Sequence, residues 1–207
     1  MRRLAPLAAI VIAAFTFGAR ADEFEEAPSG RSLAFGPVPV GETNLSLDVG
    51  WLRSGLRADI GAGFDFDLVI RLDSFLLQDG FGGQTGGYAG IRVSPLENGL
   101  FRVALSFEVG EVIIPQRVGS IDSFVLRGDV AAGISLDPYG VAYARVALRG
   151  QRAGGYGYTS WGRDEEAGVG YEVRVANKVL LGAEAYTWAR PKLPALPEWR
   201  LRVGYAF

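Results

Sequence analysis

The sequence predicts an all-β fold, a closed antiparallel up-and-down barrel of about ten strands that crosses a membrane. Three observations carry this. Apolar and polar residues alternate in about ten separate stretches, connections rich in Gly and Pro divide those stretches, and no run of about 18 apolar residues follows position 21. Successive side chains of a strand face opposite sides, so a strand held between lipid and a polar interior must read apolar, polar, apolar, polar. The 29 Gly, 12 Phe and 8 Tyr residues suit sheets and turns, and a single Met fits that bias.

At the N-terminus, Arg2 and Arg3 precede an apolar run at 4–17, and Ala19-Arg20-Ala21 offers small residues at both positions a signal peptidase reads. About 14 apolar residues are fewer than the roughly 20 a helix needs to span a bilayer. Residues 1–21 are therefore expected to be a secretory signal peptide, cut after Ala21. Residues 22–43 open charged and turn-rich (DEFEEAPSG) and read as a flexible N-terminal segment, leaving 44–207 for the barrel.

In the first barrel segment, Leu45, Leu47, Val49 and Trp51 oppose Ser46, Asp48 and Gly50. Leu56, Ala58, Ile60 and Ala62 then oppose Arg57, Asp59 and Gly61, and Phe66, Leu68, Ile70 and Leu72 oppose Asp67, Arg71 and Asp73. Ile91 and Val93 face away from Gly90 and Arg92, and Phe101, Val103, Leu105, Phe107 and Val109 from Arg102, Ala104, Ser106, Glu108 and Gly110. Phe124, Leu126, Val130, Ala132, Ile134 and Leu136 oppose Ser123, Arg127, Asp129, Gly133 and Ser135. Weaker alternation follows, with Ala142, Ala144, Val146 and Leu148 against Tyr143, Arg145 and Arg149. Ala167, Val169, Tyr171, Val173 and Val175 oppose Gly168, Gly170, Glu172 and Arg174, and Leu181, Ala183 and Ala185 oppose Gly182, Glu184, Tyr186 and Trp188. The last segment is the clearest: Trp199, Leu201, Val203, Tyr205 and Phe207 against Arg200, Arg202, Gly204 and Ala206.

Membrane barrels keep short turns on the periplasmic side and longer loops outside, with both chain ends inside. Short connections are expected at 95–99, 137–140 and 176–178, and longer ones at 74–86, 114–120, 150–163 and 190–197. An even strand number then requires a turn near Phe64, which makes ten; an eight-strand barrel with an irregular N-terminal part is the second reading. A secreted β-sandwich would also use short alternating strands, but charges on nearly every inward face are wrong for its core.

Residues 198–207 (EWRLRVGYAF) resemble the terminal strand of small bacterial outer-membrane β-barrel proteins of the opacity type, which ends in an aromatic residue with apolar residues at alternate positions before it. The resemblance, carried also by the export segment and the tandem hairpins, implies the outer membrane of a Gram-negative bacterium and contact with its lipid. It implies too that Leu201, Val203, Tyr205 and Phe207 form an assembly signal read by the barrel assembly machinery. Such barrels serve as adhesins, pores, enzymes or envelope spacers, so the fold does not name a task.

The inward face is charged. Arg57, Asp59, Asp67, Arg71, Arg92, Arg102, Glu108, Arg127, Asp129, Arg145, Glu172, Arg174, Glu184, Arg200 and Arg202 fall on it by parity, joined by Asp48, Asp73 and Arg149. The expected arrangement is a lumen charge network in which Arg and carboxylate satisfy each other, plugging most of the interior. The alternative is a narrow diffusion channel with a slight anion preference, drawn from ten inward Arg against eight carboxylates. Tyr88, Tyr143, Tyr186 and Trp188 also face inward and are expected to pack. Tyr156, Tyr158 and Trp161, among the glycines of 150–163, suit either an interfacial aromatic girdle or an outer-loop contact with a surface glycan or protein.

With no His and no Cys, the commonest general base, thiol chemistry and the commonest metal ligands are absent. A net charge of −2 with interspersed signs does not suit nucleic acid. The Gly-rich 80–90 stretch lacks a Gly-Lys-Ser/Thr ending and precedes a strand, so it is not a phosphate loop. The expectation is a non-enzymatic barrel without cofactor or metal, acting in envelope structure or surface interaction.

Overall fold

The computed structural model describes residues 32–63, 65–75, 83–97, 100–115, 120–136, 140–155, 158–176, 178–189 and 196–207. The expected signal peptide and its cleavage point lie outside them. Ten strands form one closed barrel: β1 Thr43–Gly50, β2 Arg53–Gly61, β3 Phe66–Phe75, β4 Gln84–Glu97, β5 Phe101–Pro115, β6 Ser120–Ser135, β7 Gly140–Gly155, β8 Tyr158–Ala176, β9 Val179–Ala189 and β10 Leu196–Ala206. Each strand pairs antiparallel with its sequence neighbours, and β1 closes the ring on β10 from Asn44↔Ala206 to Gly50↔Arg200. Both ends of the barrel chain, Thr43 and Phe207, therefore lie at one end, called here the near end.

Strict alternation builds this shape. Along β1, Asn44, Ser46 and Asp48 are buried in the lumen while Leu45, Leu47 and Val49 are exposed on the outside. Leu68, Ile70, Leu105, Phe107, Val130, Val146 and Val203 are also exposed on the outer surface. Exposed Phe66, Phe101, Tyr205 and Phe207 girdle this band toward the near end, and Trp51, Phe124 and Trp199 toward the far end. Aromatic girdles flanking an apolar band are the lipid surface of a transmembrane barrel. Exposed Arg163 and Glu165, ion-paired at 2.7 Å on the outer face of β8, mark where that band stops.

Ten strands, with β2 ending at Gly61 and β3 starting at Phe66, agree with the sequence reading; Phe64, where the turn was expected, lies outside the described residues. The expected alternation of short and long connections holds at β3–β4 and β9–β10 but fails at β7–β8. Residues 150–163 were expected as a loop, yet β7 runs to Gly155 and β8 starts at Tyr158, in register from Gly140↔Val173 to Gly155↔Tyr158. Glycine marks loops only statistically, and an antiparallel ladder is bonded through backbone that glycine also has. Tyr158 and Trp161 thus stand in β8, while Tyr156 lies outside the described residues. Pro95, expected in a turn, sits inside β4 where the register slips between Val93 and Leu96. A bulge is where a strand tolerates a residue with no N–H to give.

The largest departure precedes β1. Within the segment 22–43, expected to be flexible, residues 32–39 form an irregular strap across the near end of the lumen. Leu33, Phe35 and Val38 are each 1% exposed, among the most buried side chains of the barrel. Gly41, with φ of 84°, turns the chain from the strap toward β1, and its N–H donates to Gly61 O at 3.2 Å.

Candidate functional site

The lumen is the place where chemistry-bearing side chains converge, and it is filled by two different devices in series. At the near end the strap supplies backbone and apolar side chains. Glu172 on β8 accepts the Leu33 N–H at 3.2 Å, the Ala34 N–H at 3.0 Å and the Ser32 hydroxyl. Asp67 on β3 accepts the Val38 N–H at 2.7 Å and is clamped by Arg92 of β4 through Nε at 2.9 Å and Nη2 at 2.7 Å. Arg92 also donates to Leu33 O at 3.2 Å. Phe35 packs with Ala104, Ala131, Val141 and Tyr143, meeting the Tyr143 ring edge-on at 5.8 Å and 87°.

Toward the far end the same cross-section is filled by ion pairs. Asp48 takes Arg202 Nε at 2.5 Å and Arg200 Nη1 at 3.3 Å. Arg145 Nε reaches Glu184 at 3.3 Å and Asp129 at 3.2 Å. Glu166 of β8 is the hub: it meets Arg127 at 3.0 Å, Arg53 at 3.1 Å and Arg145 at 3.4 Å. From Arg53, on the opposite side of the barrel in β2, the chain of pairs continues through Asp73 to Arg71 at 3.1 Å and Glu108 at 2.9 Å. Links between Arg200, Arg202 and Glu184 at 4.0 and 3.9 Å join these into one set drawing side chains from every strand except β4. A second set, Arg57–Asp59–Arg92–Asp67, ties this layer to the strap, with Arg57 Nε 2.8 Å from Asp59 and Arg92 Nη1 3.6 Å from Asp59. Guanidinium groups also lie over rings, Arg71 over Tyr88 at 4.6 Å and Arg200 over Tyr186 at 4.8 Å, so both tyrosines pack.

Buried charges persist only when compensated, and this lumen compensates them chiefly by ion pairing: both Glu184 oxygens, Glu108 Oε2 and several guanidinium nitrogens make no hydrogen bond among the described residues although their groups are ion-paired. Arg57, Asp59, Asp67, Arg71, Arg92, Glu108, Arg127, Arg145, Glu172, Glu184, Arg200 and Arg202 are buried inside the barrel, whereas Asp129, Arg102 and Arg174 are half-buried. Arg102 in β5 and Arg174 in β8 stand near the end that carries the strap. Tyr143, expected to pack, does so against the strap. Leu201, Val203 and Tyr205 follow one another down the outer face of β10, and Phe207, just beyond the strand, donates its N–H to Thr43 O at 2.9 Å across the closing seam.

Four lumen charges escaped the sequence reading: Arg53, Asp164, Glu166 and Glu198, all buried. Extending the parity of Glu172 and Gly168 backward would have reached Glu166 and Asp164, but they adjoined the stretch read as a loop. Their inclusion removes the apparent positive excess. Among the described residues nine buried Arg stand against ten buried carboxylates, so the lumen holds no cationic surplus to favour anions.

No protein-family model matches the sequence, and no curated protein matches it. Solved structures do. The chain is similar to a loop-deleted form of OmpT, an outer membrane protein of Vibrio cholerae, at 13% identity and a TM-score of 0.43, covering 84% of this chain and 57% of that one. It thus spans little more than half the length of the Vibrio protein. It is similar also to Ail, the attachment invasion locus protein of Yersinia pestis, solved with the heparin analogue sucrose octasulfate. There the identity is 17%, the TM-score 0.41 and the coverage 81% of this chain and 99% of that one. A third neighbour is the KdgM porin in complex with disordered oligogalacturonate, at 10% identity, a TM-score of 0.39 and coverage of 80% and 98%. The Vibrio protein and Ail are outer membrane proteins, and KdgM is a porin.

Proposed function

We propose that this chain is a non-enzymatic outer-membrane barrel with a sealed lumen, its near end in the periplasm and its far end at the cell surface, serving envelope structure or surface interaction. The observation that carries the reading is the filling of the lumen in series, first by the strap with Leu33, Phe35 and Val38, then by the network centred on Glu166. Even one such layer leaves a barrel of this size little room, since wide aqueous channels belong to barrels of 16 strands or so. With the charges balanced, the anion-channel alternative loses its premise.

The far end is then the working surface, with Tyr156, Tyr158 and Trp161 around the β7–β8 hairpin as the aromatic contact offered to a glycan or protein. Leu201, Val203, Tyr205 and Phe207 are proposed as the assembly signal; deleting Phe207 is expected to lower insertion into the outer membrane, and unchanged insertion would withdraw that role. The deciding experiment is single-channel recording of the refolded protein in planar bilayers. Silence is expected. Reproducible conductance steps from protein of verified fold would replace the sealed barrel with a channel.

A further inference from the structure

We propose that the periplasmic mouth is a peptide-binding site in which residues 32–38 are the tethered occupant, and that its ligand class is an extended, uncharged segment reading Leu-x-Phe-Gly. Glu172 departs from the rest of the lumen. It is 2% exposed, and among the described residues every hydrogen bond it accepts comes from the strap: two consecutive backbone N–H groups and one hydroxyl. A carboxylate placed to accept adjacent N–H groups reads the direction and shape of a peptide, whatever its side chains.

The remaining receptor groups belong to the wall and hold one another in place without the strap. Asp67 and Arg92 form a clamp, 2.7 Å apart at its closest, that gives an acceptor to the Val38 N–H and a donor to Leu33 O. Side-chain preference comes from two pockets floored by glycine. A Cβ on Gly204 would lie 2.3 Å from Leu33 Cδ2, and one on Gly133 would lie 2.7 Å from Phe35 Cζ. The ligand needs a glycine as well, because a Cβ on Gly36 would stand 2.2 Å from Asp67 Oδ2. Wall and strap are thus fitted by missing side chains on both partners, as a receptor and its ligand are.

A tether holds its ligand at an effective concentration on the order of millimolar, so a free segment competes only once the strap is unseated. The test uses the full-length protein carrying Leu33→Asp and Phe35→Asp. These put one carboxylate beside the Glu172 carboxylate and another into the apolar pocket of Ala104, Ala131 and Val141, which disfavours the seated strap while leaving the wall untouched. The probe is a fluorescein-labelled synthetic peptide of residues 32–40, followed by fluorescence anisotropy, with circular dichroism and heat-dependent gel mobility reporting that the barrel is folded. Saturable one-to-one binding to the variant is expected, with binding to the native protein weaker by roughly tenfold or more because the site is already filled. Adding Glu172→Ala should weaken the variant's binding by roughly tenfold, the worth of charge-assisted hydrogen bonds. Absence of saturable binding to the folded variant overturns the proposal, as does equal binding to native and variant protein. Should the variant not refold, a protease site placed at the exposed turn beside Gly41 releases the strap after assembly, and the same titration decides.

Discussion

The two halves of the lumen face the same physical problem and solve it in opposite ways. Toward the near end the wall is glycine and small residues, with Gly133, Gly204, Ala104 and Ala131 leaving space that Leu33 and Phe35 enter from another part of the chain. Toward the far end the wall carries long Arg and acidic side chains that reach across the lumen by themselves, as Arg53 and Glu166 do from β2 and β8. A barrel interior must be filled, and small wall residues demand an insert where long ones do not. The difference shows in tolerance. The apolar half is stabilised by burial, whereas the charged half depends on completeness, since removing one partner strands the others.

Glu166→Ala tests that dependence most severely. It leaves Arg53, Arg127 and Arg145 facing one another, and stability measured by denaturant titration in micelles should fall by about 3–5 kcal/mol. Phe35→Ala empties the apolar half without touching a charge and should cost about 3 kcal/mol, most visibly as faster proteolysis of the N-terminal segment. If Phe35→Ala proves the more costly of the two, the strap and not the network is the main brace. Leu105→Arg is the control outside the lumen. Leu105 is 43% exposed to lipid, and a charge there should cost about 2–4 kcal/mol in bilayers; a neutral result would overturn the facing of β5. The smallest effect is expected for Glu172→Gln, which keeps an acceptor while removing charge. About 1–2 kcal/mol should be lost, with faster hydrogen exchange at Leu33 and Ala34 as the local sign.

Much of the barrel is legible along the chain because its two environments impose a period of two. Asp48 between Leu47 and Val49, or Arg202 between Leu201 and Val203, can belong only to a strand with lipid on one side. The reading failed where that period is masked. In 150–163 the glycines hide alternation, so the hairpin was shortened and Glu166 lost with it. In residues 32–39 (SLAFGPVP) there is no period at all, because the strap is not a strand; its burial comes from Gly133, Gly204 and Glu172, which lie roughly 100 to 170 positions away.

The sequence by itself determined a ten-strand transmembrane barrel with a charged interior, since lipid outside and polar groups inside leave one alternating pattern that survives at every strand. Tertiary structure alone decided what closes it. Which arginine meets which carboxylate depends on closure of the ring, which brings Arg53 of β2 to Glu166 of β8. Where the strap goes depends on pockets formed by missing side chains on distant strands, and an absent side chain leaves no periodic mark in the chain that lacks it.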